Sequence, residues 1–135
     1  MMIEMSDPDA QAHFVRDIVT TNEKVQWYWT AQRPTLRILA VETQNLKLVI
    51  DFSIWDVGFR QTGPVELSFF VNDRLLDKVR YDSPGPKHFE KPIPADWLKT
   101  DVESQVAISI DKLYTAPEDG AKFGIILSRA GFERR

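Results

Sequence analysis

The chain has 135 residues, of which 43% are hydrophobic and 27% charged, with no cysteine and a formal net charge of −3. That length suits one domain, which can bury a core without disulfide staples. The missing thiols exclude disulfides, thiolate catalysis and cysteine-based zinc sites, and the interspersed charges offer no basic stripe to nucleic acid or an anionic membrane surface.

The stretch Met1–Asp7 is acidic and lacks the basic and apolar regions of a signal peptide, and residues 1–6 read as a tail ahead of a single domain over 7–133. No apolar run approaches the roughly 20 residues that span a bilayer, which predicts no membrane insertion and, as written, a cytoplasmic chain. Ser6 caps a helical turn at Asp7–Gln11, and His13–Val19 reads as a strand. In Gln26–Thr30 the two indoles Trp27 and Trp29 share one parity and Tyr28 takes the other. Bulk assigns the indoles to the core and Tyr28 to the outer face. Thr35–Val41 is a second short strand.

Alternation is clearest in Leu46–Ile54, where Leu46, Leu48, Ile50, Phe52 and Ile54 share a face, and in Val65–Val71. Gln61-Thr62-Gly63-Pro64 separates the two as a turn. For the hairpin onward to Tyr81, a three-residue loop, Asn72 to Arg74, is expected. It places Leu75, Val79 and Tyr81 inward and Glu66 opposite Arg80, and leaves Asp77 inward beside Phe69. A two-residue Asn72-Asp73 turn has better local chemistry but would turn Lys78 and Arg80 toward the core.

Beyond Asp82-Ser83-Pro84-Gly85-Pro86, strands follow at Lys87–Lys91, Gln105–Ile110 and Phe123–Leu127. Between them stand a helical turn at Pro94–Leu98, with Trp97 as a plug, and a reversal at Ala116–Gly120. Gly124, inside a strand, predicts a bulge or a close backbone approach. Glu133-Arg134-Arg135 reads as a dispensable end. Short strands at this spacing predict an all-β fold: a two-sheet antiparallel β-sandwich, jelly-roll-like, with one or two short helical turns.

Catalytic and cofactor chemistry finds little footing. His13 and His88 stand in no metal-ligand spacing, no Gly-x-Ser-x-Gly elbow occurs, and the glycines form no phosphate loop. No metal or cofactor is expected, and Glu118-Asp119 lacks the dense spacing of a calcium loop. A carboxylate pair of the hydrolase kind is a matter of tertiary geometry, so a hydrolase on a sandwich scaffold stays a minor reading. The aromatics are more suggestive. Trp55 ends its strand with parity opposite to the apolar face, and Tyr114 precedes the Ala116–Gly120 loop, so both are expected to reach solvent.

Trp27-Tyr28-Trp29-Thr30 with Pro34-Thr35-Leu36-Arg37, Thr62-Gly63-Pro64-Val65, Phe70-Val71-Asn72 and Asp119-Gly120-Ala121-Lys122-Phe123-Gly124-Ile125 together give the chain a family likeness. It resembles the carbohydrate-binding-module-like β-sandwich domains appended to bacterial integral-membrane glycosyltransferases. The resemblance implies a non-catalytic accessory module with a glycan and a membrane glycosyltransferase as partners, on the extracytoplasmic side if cut from such an enzyme. Many such domains carry an arginine ahead of the Phe-Gly pair, where Lys122 is the nearest basic residue here. The expected ligand-binding residues are Trp55, Tyr114, Asp119, Lys122 and Tyr28. A structural protein–protein interaction domain is the alternative.

Overall fold

The period-two runs become strands because each has one apolar row to bury and one polar row to leave in water. The computed structural model describes residues 1–20 and 25–135. Its strands are β1 (Met2–Glu4), β2 (Phe14–Ile18), β3 (Tyr28–Ala40), β4 (Leu46–Ile54), β5 (Val65–Val71) and β6 (Arg74–Tyr81). They continue with β7 (Gly85–Pro92), β8 (Val102–Ile110), β9 (Tyr114–Thr115), β10 (Lys122–Phe123) and β11 (Ile126–Arg134). One α-helix, α1 (Asp56–Thr62), and 3-10 turns at Ala10–His13 and Ala95–Trp97 complete the described elements. No helix among the described residues is long and apolar enough to cross a membrane.

Every pairing is antiparallel, and the fold is an all-β sandwich of two sheets. One runs β1–β11–β4–β7 and the other β2–β3–β8–β5–β6. The long β3 belongs to both: its start, Tyr28 and Trp29, pairs with β11, and its later part pairs with β2 and β8. A small β9–β10 ribbon stands apart. The core between the sheets is crossed by stacked rings, Phe69 of β5 lying 3.7 Å from Phe89 of β7 at 9°. Phe52 of β4 lies beside them, 6.5 Å from Phe69 and edge-on to Tyr81 at 5.3 Å.

β3 replaces the two separate strands expected around Pro34. Proline lacks an N–H and so interrupts an interior ladder. Here the β2 edge is itself irregular at that point, pairing Arg16 with Thr35 and next Ile18 with Thr30. Asp17, at φ 60°, fills the gap, its carboxylate accepting the Arg33 N–H at 2.9 Å. A side chain therefore does the work of the missing ladder bond, and the strand runs on.

The β5–β6 hairpin combines both loop arguments. Val71 faces Arg74, so the turn is the two-residue Asn72-Asp73, with both φ values positive (49° and 65°). A bulge between Phe69 and Phe70 then restores the expected pairs Glu66–Arg80, Leu67–Val79 and Phe69–Asp77. The correction falls on Leu75: the extra residue lets Leu76 turn inward, while Leu75 is 49% exposed. Asn72 anchors the turn by donating to the Trp97 and Ser104 oxygens and accepting from the Gln105 N–H. Asp77 sits at the core's rim, 3.5 Å from Lys91 Nζ.

Both chain ends depart from expectation. Residues 1–6 are no loose tail: β1 pairs with β11, and Ile3 and Met5 are buried in the core. Gly131 makes this possible, since a Cβ there would sit 2.3 Å from the Met1 carbonyl and 2.6 Å from Met2 Cα. At the other end Arg134 lies in β11 and holds the Glu42 carboxylate with two 2.9 Å bonds. The helix α1 was not expected either. Seven residues containing Gly58 carry too little periodicity to register, and Gly63, at φ 72°, closes the helix by donating to Phe59 O.

Candidate functional site

At one end of the sandwich the structure gathers aromatic side chains from four segments that are distant in sequence. Trp55 leaves β4 on the outer parity and opens α1. Gly58, one turn on, lets Tyr114 lie against the helix, where an added Cβ would come 3.3 Å from Tyr114 Cβ. Gln61 then clamps the β9 ribbon, donating to Thr115 O at 3.0 Å and accepting from Thr115 N at 2.8 Å. In the ribbon Tyr114 faces Phe123 and Thr115 faces Lys122, so the two aromatics share one side.

Trp29 sits at the centre. It is edge-on to Trp55 at 5.4 Å, tilted against Phe123 at 5.2 Å and edge-on to Trp27 at 6.2 Å. Trp55 in turn meets Tyr114 edge-on at 5.2 Å. These are the offset and T-shaped geometries that ring quadrupoles favour, so the rings hold one another in place. Trp27 and Trp55, 46% and 38% exposed, present the row to solvent. The cleft beneath, lined by Ile54, Val65, Ile110 and Ile125 among others, measures about 20 Å³. That is room for about one water molecule, so a ligand would rest on the rings rather than sink between them.

Of the residues expected to bind ligand, Trp55 and Tyr114 come together. Tyr28 does not join them. It is 6% exposed, packs edge-on to Phe14 at 5.0 Å, and its hydroxyl accepts a bond from Gln11 at 3.2 Å. The parity in this segment is the reverse of the expected one. Tyr28 shares the inward row with the buried Thr30, and the indoles face out because other aromatics, rather than the core, cover their area. Asp119 is occupied within the loop, accepting the Ala121 N–H at 3.0 Å. Lys122 lies on the far side of the ribbon from Tyr114, its Nζ 3.2 Å from Thr115 Oγ1. Trp27, Trp29 and Phe123 were missed as surface residues. The i, i+2 spacing of two indoles was the only signal for Trp27 and Trp29, and Phe123 joins them only through the fold.

Gly124 keeps the cluster close to the sandwich. A Cβ at this position would lie 2.4 Å from Ile110 Cδ1, 2.7 Å from Ala31 O and 2.9 Å from Thr30 Oγ1. The close backbone approach read from the sequence is therefore present. Its N–H donates to Thr30 O at 2.7 Å, and the next N–H, of Ile125, donates to Thr30 Oγ1.

The outer face of the first sheet continues from these rings. Trp29, Ile126, Ser53 and Pro86 form one row across β3, β11, β4 and β7. Two residues along β4 lies a charged row: Glu4, Arg129, Asp51 and His88, on β1, β11, β4 and β7. Arg129 spans the carboxylates of Glu4 (3.1 Å), Asp51 (3.4 Å) and Glu133 (3.4 Å). His88 Nδ1 hydrogen-bonds Asp51, which raises its pKa above the ordinary 6.5, with Glu90 adding to the effect and desolvation opposing it. A raised folded-state pKa gives stability that is complete below about pH 6.5 and fades as pH climbs through the folded value. Because the ring is half exposed, screening keeps the change under about 1 kcal/mol. A proton NMR titration is expected to place the His88 midpoint above 6.5, and Asp51→Asn to return it toward 6.5; an unmoved midpoint would refute the coupling.

No protein-family model matches the chain, and no curated protein matches it in sequence. Solved structures do match in shape. A family 35 carbohydrate-binding module from Clostridium thermocellum aligns at TM-score 0.57 and 6% identity, covering 100% of this chain and 98% of its own. A family 35 module from an environmental isolate aligns at TM-score 0.58 and 13% identity, covering 100% and 97%. An acetyl xylan esterase from the rumen bacterium Butyrivibrio proteoclasticus aligns at TM-score 0.53 and 10% identity, this chain spanning 33% of that longer protein. At these identities the likeness is one of fold.

Proposed function

We propose that this domain is a non-catalytic glycan-binding module whose contact surface is the row Trp27, Trp29, Trp55 and Tyr114. The observation that carries the reading is the packing of four aromatic rings against one another at the sandwich end, with two indoles left exposed. A row of this kind offers flat π surface to the C–H face of a sugar ring, and mutual packing lowers the entropy lost on binding. The fold shared with carbohydrate-binding modules supports it, and so does the sequence resemblance to accessory domains of membrane glycosyltransferases. On that resemblance the module serves such an enzyme by holding its glycan nearby.

Isothermal titration against a panel of soluble oligosaccharides, with Trp55→Ala beside the parent chain, tests the proposal. An anchor tryptophan at a binding centre contributes on the order of 2 kcal/mol, about 30-fold in affinity. The variant should fold as the parent does, since Trp55 is already 38% exposed. Binding that survives Trp55→Ala unchanged would rule out this surface.

A further inference from the structure

Beside the aromatic row lies an open recess of about 460 Å³, lined by Glu4, Ser6, Gln26, Asp51, Ser128 and Arg129. We infer that this recess is a second sugar subsite, so that the ligand is a neutral oligosaccharide lying across the outer face of the first sheet. The inference rests on the glycan-binding reading and extends it from one ring platform to a path.

Three observations converge. The recess and the rings adjoin: Gln26 lines the recess and Trp27 is the next residue, while Ser53 in the Trp29 row stands two positions from Asp51 on β4. Two strand residues advance about 7 Å, comparable with the length of one hexose unit in a chain. Trp29 stands two strand spacings, about 10 Å, to the side of Ser53, so Asp51 lies about 12 Å from Trp29 and is reached by a sugar two or three units along a chain stacked there. The volume falls within the range of about 300–1,000 Å³ typical of small-molecule sites, unlike the cleft under the rings.

The lining also has the chemistry of hydroxyl recognition. Asp51 already meets His88 with one oxygen and Arg129 with the other, but each carboxylate oxygen has a second lone pair, and these, with those of Glu4, can accept from adjacent sugar hydroxyls. Ser128 Oγ is fixed by donating to Asp51 O at 3.0 Å, which turns its lone pairs to an incoming donor. Gln26, exposed at the rim, both donates and accepts. Charge selects the class. The lining holds two carboxylates, Glu4 and Asp51, against one guanidinium, Arg129, so with His88 neutral it is one charge negative and disfavours a uronate.

Titration of the full chain with cellohexaose, xylohexaose, mannohexaose and hexagalacturonic acid, and with the matching monosaccharides, decides the matter. At least one neutral hexasaccharide is expected to bind well above its monosaccharide. Asp51→Asn and Gln26→Ala should each weaken that hexasaccharide by up to about tenfold and leave the monosaccharide unchanged. Gln26→Ala keeps the test sound if Asp51→Asn disturbs the charged row, because Gln26 is exposed. A hexasaccharide lost in Trp55→Ala but bound normally by both recess variants would overturn the recess and leave the platform standing. Preference for hexagalacturonic acid would overturn the neutral assignment. Absence of binding across the panel would remove platform and recess together.

Discussion

Replacing Phe69 by alanine is expected to lower the unfolding free energy by about 3–5 kcal/mol, the usual cost of emptying a buried aromatic site. Phe69 has no exposed surface, stacks on Phe89 at 3.7 Å across the sandwich and neighbours Phe52. Its removal takes away contacts on both sheets at once, and the ladders on either side limit how far the walls can collapse. Domains of this size have about 5–15 kcal/mol in total, so the variant should melt at least about 10 °C lower. Leu75→Ala is the control. Its side chain is 49% exposed beside the bulge, and the change should stay within about 0.5 kcal/mol. Chemical denaturation followed by tryptophan fluorescence measures both, and equal effects would mean that the hairpin register described above is wrong.

Gly124→Ala is expected to be the more disruptive change per atom added. The new methyl would stand 2.4 Å from Ile110 Cδ1 and 2.7 Å from the Ala31 carbonyl. The first contact can yield by a rotamer change; the second is backbone, held in β3. Overpacking of this kind costs about 1–3 kcal/mol. Relief requires β10 to move away from β3, and Phe123 would carry the movement to Trp29. Loss of stability should therefore come with a change in near-ultraviolet circular dichroism from the coupled indoles. A destabilised variant with an unchanged aromatic spectrum would show that the ring row is not seated through Gly124.

The sequence was most legible where one physical signal acted alone. Leu46–Ile54 and Val65–Val71 alternate cleanly, and both appear as strands with those limits. It was less legible where two signals competed. At Asn72-Asp73 the turn chemistry and the burial pattern demanded different registers, and a bulge satisfied both, which no count of parity can foresee. At Trp27-Tyr28-Trp29 parity separated the residues correctly, but the face could not be assigned from bulk. Tyr28 could go inside because Gln11 reaches its hydroxyl, a contact across 17 positions. The same limit applies to the binding surface. Trp55 was visible as a strand-end aromatic and Tyr114 as one preceding a loop, whereas the partners that organise them, Trp29 and Phe123, are adjacent only after folding. The N-terminal residues looked dispensable by composition, and only the gap left by Gly131 reveals where they fit.

The passage of β3 from one sheet to the other has a mechanical consequence. Its first residues are bonded to β11 and its later ones to β2 and β8, so neither sheet can peel away without breaking a strand that the other also needs. Opening of the two layers is thereby tied into a single cooperative event. The aromatic row hangs on the β11 end of that strand, at Trp29. A load applied to a ligand there would be shared by both layers of the sandwich rather than borne by a peripheral loop.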